Sequence, residues 1–243
     1  VSTKTQKKVK IDKWQDQQMR ILHSDTKANK LYLERRNRRN TMLDVCEVDL
    51  STGDVKVIIH EEGDPYIGIE LASITFLNDY KDIIWWSERT GHGHLYHYDG
   101  EGNLKNVITS GNWTAGKVVS IDEKNRTVYF QAYGVTPGEN PSYAKICKAN
   151  VDGKGKMVVL TPEEATHNVI FCPSKRFIID AFSRPDLPYQ FTVRDTRQGD
   201  LVFKLSELDL NDMYKQGWKM PETFSVKAAD GETDLYGVMW KPF

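Results

Sequence analysis

The stretch IIWWSERTGHGHLYHYDGEG, residues 83–102, places two strand-length apolar runs on either side of a glycine-rich turn. It also holds three of the six histidines in the chain, His92, His94 and His97. In an extended strand, residues two apart share a face and residues three apart do not, so His97 points away from the other two. No cysteine or carboxylate cluster nearby completes a ligand shell. The stretch therefore predicts a β-hairpin, with TGHG as its loop, rather than a metal site.

The same arrangement recurs four times along the chain. Segments 43–59, 94–108, 145–160 and 190–205 each contain a β-like run, an aspartate-containing turn and a second β-like run. The turn aspartates, Asp49, Asp99, Asp152 and Asp195, are 50, 53 and 43 residues apart. Two further β-like stretches precede each segment, so that one unit has four strands. Four-stranded units at intervals of about 40 to 50 residues are typical of β-propeller blades.

The predicted fold class is therefore all-β, with about four propeller blades. We place the blades at roughly residues 18–60, 66–110, 113–161 and 166–205. An open arc of four blades would leave unpaired sheet edges, so we expect the chain to form part of a larger propeller. The domain prediction is a partial propeller over residues 1–217, followed by linker strands over 218–243, where a hairpin around Asp230 and Gly231 breaks the repeat.

Helical signal is nearly absent from the sequence. The segment LSELDLNDMYKQG, residues 205–217, is the one plausible helix, with Ser206 or Asp209 as its N-cap. Hydrophobic residues make up 39% and aromatic residues 11% of the chain, which favours folded β structure over disorder.

The charge and the cysteines exclude several classes of protein. The 33 basic and 34 acidic residues give a formal net charge of −1, whereas proteins that bind nucleic acid or membrane surfaces usually carry a basic excess. No apolar run approaches the roughly 18 residues of a membrane helix. We therefore predict no nucleic-acid partner and no membrane segment. The cysteines Cys46, Cys147 and Cys172 form no CxxC motif, and we expect them to be free. Because the chain begins VSTKTQ, we expect an internal piece of a longer protein whose compartment is unknown from this chain.

The remaining polar motifs are interpreted as turns or as incomplete catalytic motifs. The basic run ERRNRRN, residues 34–40, lies between two strands and is interpreted as a hairpin tip. A tip that is solvated or contacts another domain is favoured over a nucleic-acid site for its arginines, among them Arg35. Glu163-Glu164 is interpreted as a charged turn, and His60-Glu61-Glu62 lacks the second histidine of HExxH. The sequence contains no G-x-S-x-G elbow. We therefore assign no catalytic residue in this chain and predict neither a metal nor a cofactor.

Three stretches carry a family resemblance. WWSERTGHGHLYHYD, residues 85–99, resembles the W-x-S-E-R-x-G-x-x-H-L-Y-x-Y-D segment of propellers in the dipeptidyl peptidase IV branch of the prolyl oligopeptidase family. VITSGNWTAGKVVSID, residues 107–122, is similar to the I-T-x-G-x-W run of the family. ADGETDLYGVMWKP, residues 229–242, is similar to the D-G-x-x-L-x-G-x-x-x-K-P stretch that enters the hydrolase domain. The three occur in the order that the family shows.

This resemblance implies an eight-bladed propeller followed by an α/β-hydrolase domain whose Ser-Asp-His triad removes N-terminal dipeptides after proline or alanine. The chain would be the second half of that propeller, which scaffolds and gates the catalytic chamber, and it should be inactive alone because the triad lies outside it. Its partners would be peptide substrates, the enzyme's own hydrolase domain and a second copy in a homodimer. The resemblance also suggests a periplasmic or secreted bacterial protein.

The family places a substrate-contacting loop near EEGDPYIGIELAS, residues 61–73. Tyr66 and Glu70 are our candidates for lining an extended substrate pocket there. The paired glutamates that hold the substrate's amino terminus in this family belong to a D-W-x-Y-E-E-like motif that this sequence lacks. The alternatives are a free-standing propeller that binds protein or glycan, and another branch of the family, such as an oligopeptidase or acylaminoacyl peptidase.

Overall fold

The computed structural model describes residues 6–70 and 72–242 of the chain. Over these residues the strands form four antiparallel sheets of four strands and one sheet of two. This architecture confirms the predicted all-β fold of propeller blades. No helix among the described residues has both the length and the apolar character that a membrane crossing requires.

The chain divides into two compact units, residues 1–108 and 109–243. The predicted division into a propeller part, 1–217, and linker strands, 218–243, stays a prediction. Residues 1–5 and Phe243, which belong to those predicted ranges, lie outside the described residues.

The first unit contains two sheets whose strands follow one another in sequence order. The strands of the first sheet are β1 (Gln18–Asp25), β2 (Lys30–Arg36), β3 (Met42–Asp49) and β4 (Val55–Glu62). Those of the second sheet are β5 (Ile74–Leu77), β6 (Asp82–Ser87), β7 (His94–Asp99) and β8 (Leu104–Val107). The core contains residues of both sheets, Tyr32, Leu43, Val45, Ile58 and Ile59 from one and Ile83, Trp85, Tyr96 and Tyr98 from the other.

The predicted hairpin at residues 83–102 is confirmed as the pair β6 and β7. Ile84 lies opposite His97, and Ser87 lies opposite His94, while His92 lies in the turn. Every residue of β6 is buried, so both faces of this strand lie in the interior. The imidazole of His97 is fully buried, with Nε2 at 2.8 Å from Asp82 Oδ1. His97 therefore joins two strands of one blade.

Gly93, in the turn of this hairpin, lies against the indole ring of Trp86. A Cβ atom at residue 93 would lie 2.1 Å from Trp86 Cζ2, and Trp86 is buried. We expect Gly93→Ala to lower the free energy of unfolding by about 2 kcal/mol, because the indole must move inside a packed core. Gly91→Ala is the matched control: its Cβ would meet open space, and its positive φ of 91° accounts for a loss of about 1 kcal/mol. Urea unfolding of both variants measures the difference, and equal losses would contradict the clash.

The second unit contains two further four-stranded sheets, one short helix and a terminal hairpin. The first sheet contains β9 (Thr114–Asp122), β10 (Thr127–Tyr133), β11 (Ala144–Asn150) and β12 (Val158–Val159). The second contains β13 (Thr166–Phe171), β14 (Phe177–Arg184), β15 (Leu187–Asp195) and β16 (Leu201–Glu207). The helix is α1 (Asn211–Lys215), and the hairpin is β17 (Glu222–Lys227) with β18 (Asp234–Met239). Tyr129, Ile146, Leu160 and Ile178 form a core that joins the two four-stranded sheets.

The predicted helix at 205–217 is wrong in its length. Residues up to Glu207 belong to β16, because they pair with β15. Helix α1 covers only Asn211–Lys215, and its N-cap residue is Leu210, which provides no side-chain cap. Asp209 accepts a hydrogen bond from the backbone N–H of Asn211 at 2.8 Å. The residues that would have extended the helix at its N-terminal end therefore pair in the sheet instead.

In the third blade, the turn after the third strand is formed by an asparagine, Asn150, rather than by the predicted aspartate, Asp152. Strand β11 ends at Asn150, whose Oδ1 accepts the backbone N–H of Asp152 at 2.9 Å. Asp49 and Asp99 end β3 and β7 in the same way, each accepting the N–H two residues later. Asp152 instead pairs with Arg126. Asn150 is the structural counterpart because asparagine and aspartate form the same turn.

Arg35 corrects the placement of all of residues 34–40 in a hairpin tip that is solvated or contacts another domain. The side chain of Arg35 is buried in β2, and its Nε donates to Asp44 Oδ2 at 2.8 Å. The guanidinium lies 4.1 Å from the centre of the Trp14 ring. The tip of the hairpin therefore starts after Arg36, where β2 ends.

Candidate functional site

A cavity of about 550 Å³ lies in the first unit, where β4 of one blade approaches β6 of the next. One wall consists of the end of β4 and the loop that follows it, and the other consists of the end of β6 and its turn. The lining residues are Glu61, Glu62, Gly63, Asp64, Pro65, Tyr66, Ile67, Gly68, Trp85, Trp86, Ser87, Glu88, Arg89 and Gly91. Aromatic rings and carboxylates share this surface, a combination that suits a polar ligand with apolar side chains.

The buried carboxylate of Glu61 lines this cavity and accepts hydrogen bonds from the neighbouring blade. Its Oε1 accepts a hydrogen bond from Trp85 Nε1 at 2.8 Å, and its Oε2 accepts one from Ser87 Oγ at 2.9 Å. Arg89 Nη2 donates to Oε1 as well. Three donors therefore satisfy one buried charge, which is the condition under which burial of a carboxylate is tolerated. Because Glu61 belongs to β4, this network joins the two blades.

Besides its bond to Glu61, the Arg89 side chain has further contacts with Ser87 and Tyr96. Its Nε donates to Ser87 Oγ at 2.9 Å, and its guanidinium lies 4.4 Å from the centre of the Tyr96 ring. Burial acts to lower the pKa of Arg89, but Glu61 and Tyr98 together outweigh this effect, so that the pKa is raised. Arg89 thus stays charged and has its donors directed at protein acceptors. Its position suits a rigid wall rather than a group that reacts with substrate.

The loop after β4 closes the opposite side of the cavity. Tyr66 is 62% exposed and stands at the rim, whereas the side chain of Ile67 is buried in the core of the unit. The backbone N–H of Gly68 donates to Glu88 Oε1 at 2.5 Å across the cavity. The exposed ring of Tyr66 is therefore presented to solvent by a loop that is anchored next to it.

The two predicted substrate-lining residues differ in position. Tyr66 lines the cavity, whereas Glu70 is exposed and is not part of its lining. Their assignment to substrate binding stays a prediction. The sequence interpretation missed Glu61, Glu88 and Arg89, which form the walls. The S-E-R triplet at 87–89 was a usable signal, since charged residues directly after a buried strand need partners.

His60 adds a pH-dependent group beside the cavity. Its Nδ1 lies 2.6 Å from Asp44 Oδ1, and its Nε2 lies 3.2 Å from Glu62 Oε1. The hydrogen bond to Asp44 raises the pKa of His60, although burial acts against this effect. A raised folded-state pKa means that the protonated form stabilises the fold at low pH, and this contribution is lost as pH rises through the folded-state pKa.

We expect the free energy of unfolding to fall with rising pH above about 6.5, the ordinary pKa of histidine. The loss should be below about 1 kcal/mol, because the side chain is 46% exposed and solvent screens the pair. Urea unfolding between pH 5.5 and 8.5 measures this slope. The variant His60→Gln should lack it, and an unchanged slope in that variant would assign the effect to another group.

A second polar cluster lies in the second unit. Among the described residues, Glu163, His167 and Asp180 bring potential metal ligand atoms within 4.8 Å of one another. Arg194 occupies the same place: its Nε donates to Asp180 Oδ2 at 3.0 Å, and its Nη2 donates to Glu163. A guanidinium between two carboxylates supplies the positive charge that a metal would bring. We therefore interpret this cluster as an ion network inside a blade. Glu163 lies in the bend before β13, which agrees with its interpretation as part of a charged turn, and its side chain belongs to this network.

Comparison with known proteins agrees with the blade architecture. The profile of the family described as the dipeptidyl peptidase IV (DPP IV) N-terminal region matches residues 1–189. Dipeptidyl peptidase 4 of Trichophyton tonsurans is 23% identical over 206 residues, which cover 81% of this chain and 26% of that protein. The probable dipeptidyl peptidase 4 of Arthroderma benhamiae is 24% identical over 213 residues, with the same coverage. The chain thus spans about a quarter of the length of these curated relatives.

Solved structures show the same fold. The dipeptidyl peptidase 4 of Porphyromonas gingivalis superimposes with a TM-score of 0.78 at 22% identity and covers 96% of this chain and 32% of that one. A putative dipeptidyl aminopeptidase IV from Bacteroides ovatus gives a TM-score of 0.74 at 24% identity, over 91% of this chain and 33% of that one. At this identity the two structures establish the fold. Because the family profile matches more than half of the residues, the chain belongs to the family of the dipeptidyl peptidase IV N-terminal region.

Proposed function

We propose that this chain is the propeller portion of a dipeptidyl peptidase IV-like serine exopeptidase that removes N-terminal dipeptides after proline or alanine. The observation that carries the proposal is the family match over residues 1–189. The chain would scaffold and gate the catalytic chamber, and the cavity beside Tyr66 would contribute part of the peptide-binding wall. The nucleophile, its base and the oxyanion donors would belong to a hydrolase domain of the parent protein.

The full-length protein expressed from its gene provides the test. We expect it to release p-nitroaniline from Ala-Pro-p-nitroanilide, and not from the same substrate with an acetylated amino terminus, because an exopeptidase needs the free amine. A serine-directed fluorophosphonate should abolish this release. The purified chain of residues 1–243 should release none, since it contains no nucleophile elbow.

Three outcomes would overturn the proposal. Release by the isolated chain that the fluorophosphonate blocks would place a nucleophile within these residues. A full-length protein that leaves Ala-Pro substrates intact, but binds protein or glycan, would favour a free-standing binding propeller. Release from substrates with a blocked amino terminus would favour an oligopeptidase or acylaminoacyl peptidase branch.

A further inference from the structure

The cavity beside Tyr66 has a contact that the proposed function does not use: a carboxylate on one wall holds the backbone of the other. Glu88 follows β6, and its Oε1 accepts the backbone N–H of Gly68 at 2.5 Å. A hydrogen bond to a charged acceptor is roughly twice as strong as one between neutral groups. This bond connects the loop after β4 to the neighbouring blade.

Gly68 is the residue that allows such a close approach. A Cβ atom at this position would lie 3.0 Å from both carboxylate oxygens of Glu88, closer than ordinary van der Waals contact. Both oxygens therefore lie against the α-carbon of Gly68. A side chain at residue 68 would have to push the carboxylate away and lengthen the bond.

The loop has two other backbone anchors, and both lead to the first blade. The N–H of Gly63 donates to the carbonyl oxygen of Thr41 at 3.0 Å, and the N–H of Ile67 donates to that of Asn40 at 2.7 Å. The Glu88 bond adds an anchor on the second blade. Tyr66 lies between these anchors, two residues before Gly68, so the position of its ring depends on all three.

The hydrogen bonds to Glu61 also fix the position of Glu88. Its two sequence neighbours, Ser87 and Arg89, both donate to the buried Glu61 carboxylate. The backbone of Glu88 is therefore fixed on both sides, and its half-buried side chain has to bridge only the width of the cavity. A carboxylate held in this way fixes the loop of the first blade relative to the second blade.

We propose that Glu88 is a positioning residue that holds the Tyr66 loop in the conformation in which it contacts the peptide. This inference rests on the proposed function for its substrate, a peptide with a free amino terminus. Glu88 does not itself need to touch the peptide. Its removal should therefore weaken peptide binding and leave the chemical step nearly unchanged.

The first measurement follows the loop itself and does not depend on activity. Hydrogen exchange of residues 63–70 in the purified chain should accelerate at least tenfold in Glu88→Ala and several-fold in Gly68→Ala. Exchange in β6 and β7 should stay unchanged, which shows that both variants fold. Glu88→Gln keeps an acceptor of the same size and should lie between wild type and Glu88→Ala. Glu101→Gln, an exposed acidic residue elsewhere in the same blade, is the matched control and should leave the loop unchanged.

The second measurement uses the full-length enzyme with a tetrapeptide that begins Ala-Pro. We expect KM to rise about fivefold to tenfold in Glu88→Ala and in Gly68→Ala, with kcat within twofold of wild type, and partial recovery in Glu88→Gln. If wild type cleaves the peptide and KM stays constant in both variants, the positioning role is refuted and the proposed function stands. If wild type removes no dipeptide, the proposed function fails and this role fails with it. Unchanged loop exchange in Glu88→Ala would refute the clamp directly.

Discussion

Replacing Glu61 by glutamine is expected to lower the free energy of unfolding of the chain by about 3 kcal/mol. The substitution keeps the size of the side chain, but it leaves the Arg89 guanidinium beside a neutral amide and turns an N–H group towards one of the former donors. The donors on Trp85, Ser87 and Arg89 are buried or half-buried, and all three lose the charged carboxylate that accepts their hydrogen bonds. Breaking one side of a buried ion pair costs more than the pair contributes, because the remaining charge stays desolvated.

Glu62→Gln is the matched control for this experiment. The two glutamates are adjacent in β4, but the side chain of Glu62 is 72% exposed and pairs with the half-exposed His60. We expect Glu62→Gln to change the free energy of unfolding by at most about 0.5 kcal/mol. Arg89→Met in the Glu61→Gln background should recover part of the loss, since an apolar side chain removes the unpaired charge. Equal effects of the two glutamine substitutions in urea unfolding would show that the network contributes little.

The sequence predicted the strands well where a pattern of neighbouring residues determines them. Alternation and the TGHG turn were enough to place β6, β7 and the opposite orientations of His94 and His97. The pattern could not show that both faces of β6 are buried, because the second face is covered by residues about 25 to 50 positions earlier in the chain, such as Tyr32 and Ile58. His97 lies opposite Ile84, on the other face of the sheet, where it is also buried and contacts Asp82.

The candidate site was harder to predict because its bonds join residues that are distant in sequence. Glu61 and Arg89 are 28 residues apart, and Glu88 meets Gly68 across 20 residues. Sequence spacing alone gave no sign of these long-range contacts. Arg35 was assigned to a hairpin tip for the same reason. Charged residues at the ends of buried strands are ambiguous from sequence, since either solvent or a neighbouring blade can provide their partner.

Asp180→Asn is expected to lower the free energy of unfolding of the chain by about 4 kcal/mol. Asp180 is fully buried in β14, and its carboxylate meets His167 Nδ1 at 2.9 Å and Arg194 Nε at 3.0 Å. The other ring nitrogen of His167 faces the carbonyl oxygen of Glu163 at 3.1 Å. Both nitrogens of this histidine therefore face acceptors, and a neutral asparagine would leave Glu163, which is less buried than Asp180, as the carboxylate that pairs with the Arg194 guanidinium.

The prediction also separates an ion network from a metal site. If Arg194 neutralises the cluster, adding zinc or manganese should leave the unfolding temperature of the wild type unchanged, and chelation should not lower it. Asp212→Asn is the matched control: Asp212 pairs with Lys215 in solvent, and its loss should cost at most about 0.5 kcal/mol. A metal-dependent rise of several degrees in wild type, absent from Asp180→Asn, would show that a cation displaces the guanidinium. A loss of only about 1 kcal/mol in Asp180→Asn would mean that water reaches His167 and Arg194, and that the blade is held by its apolar contacts alone.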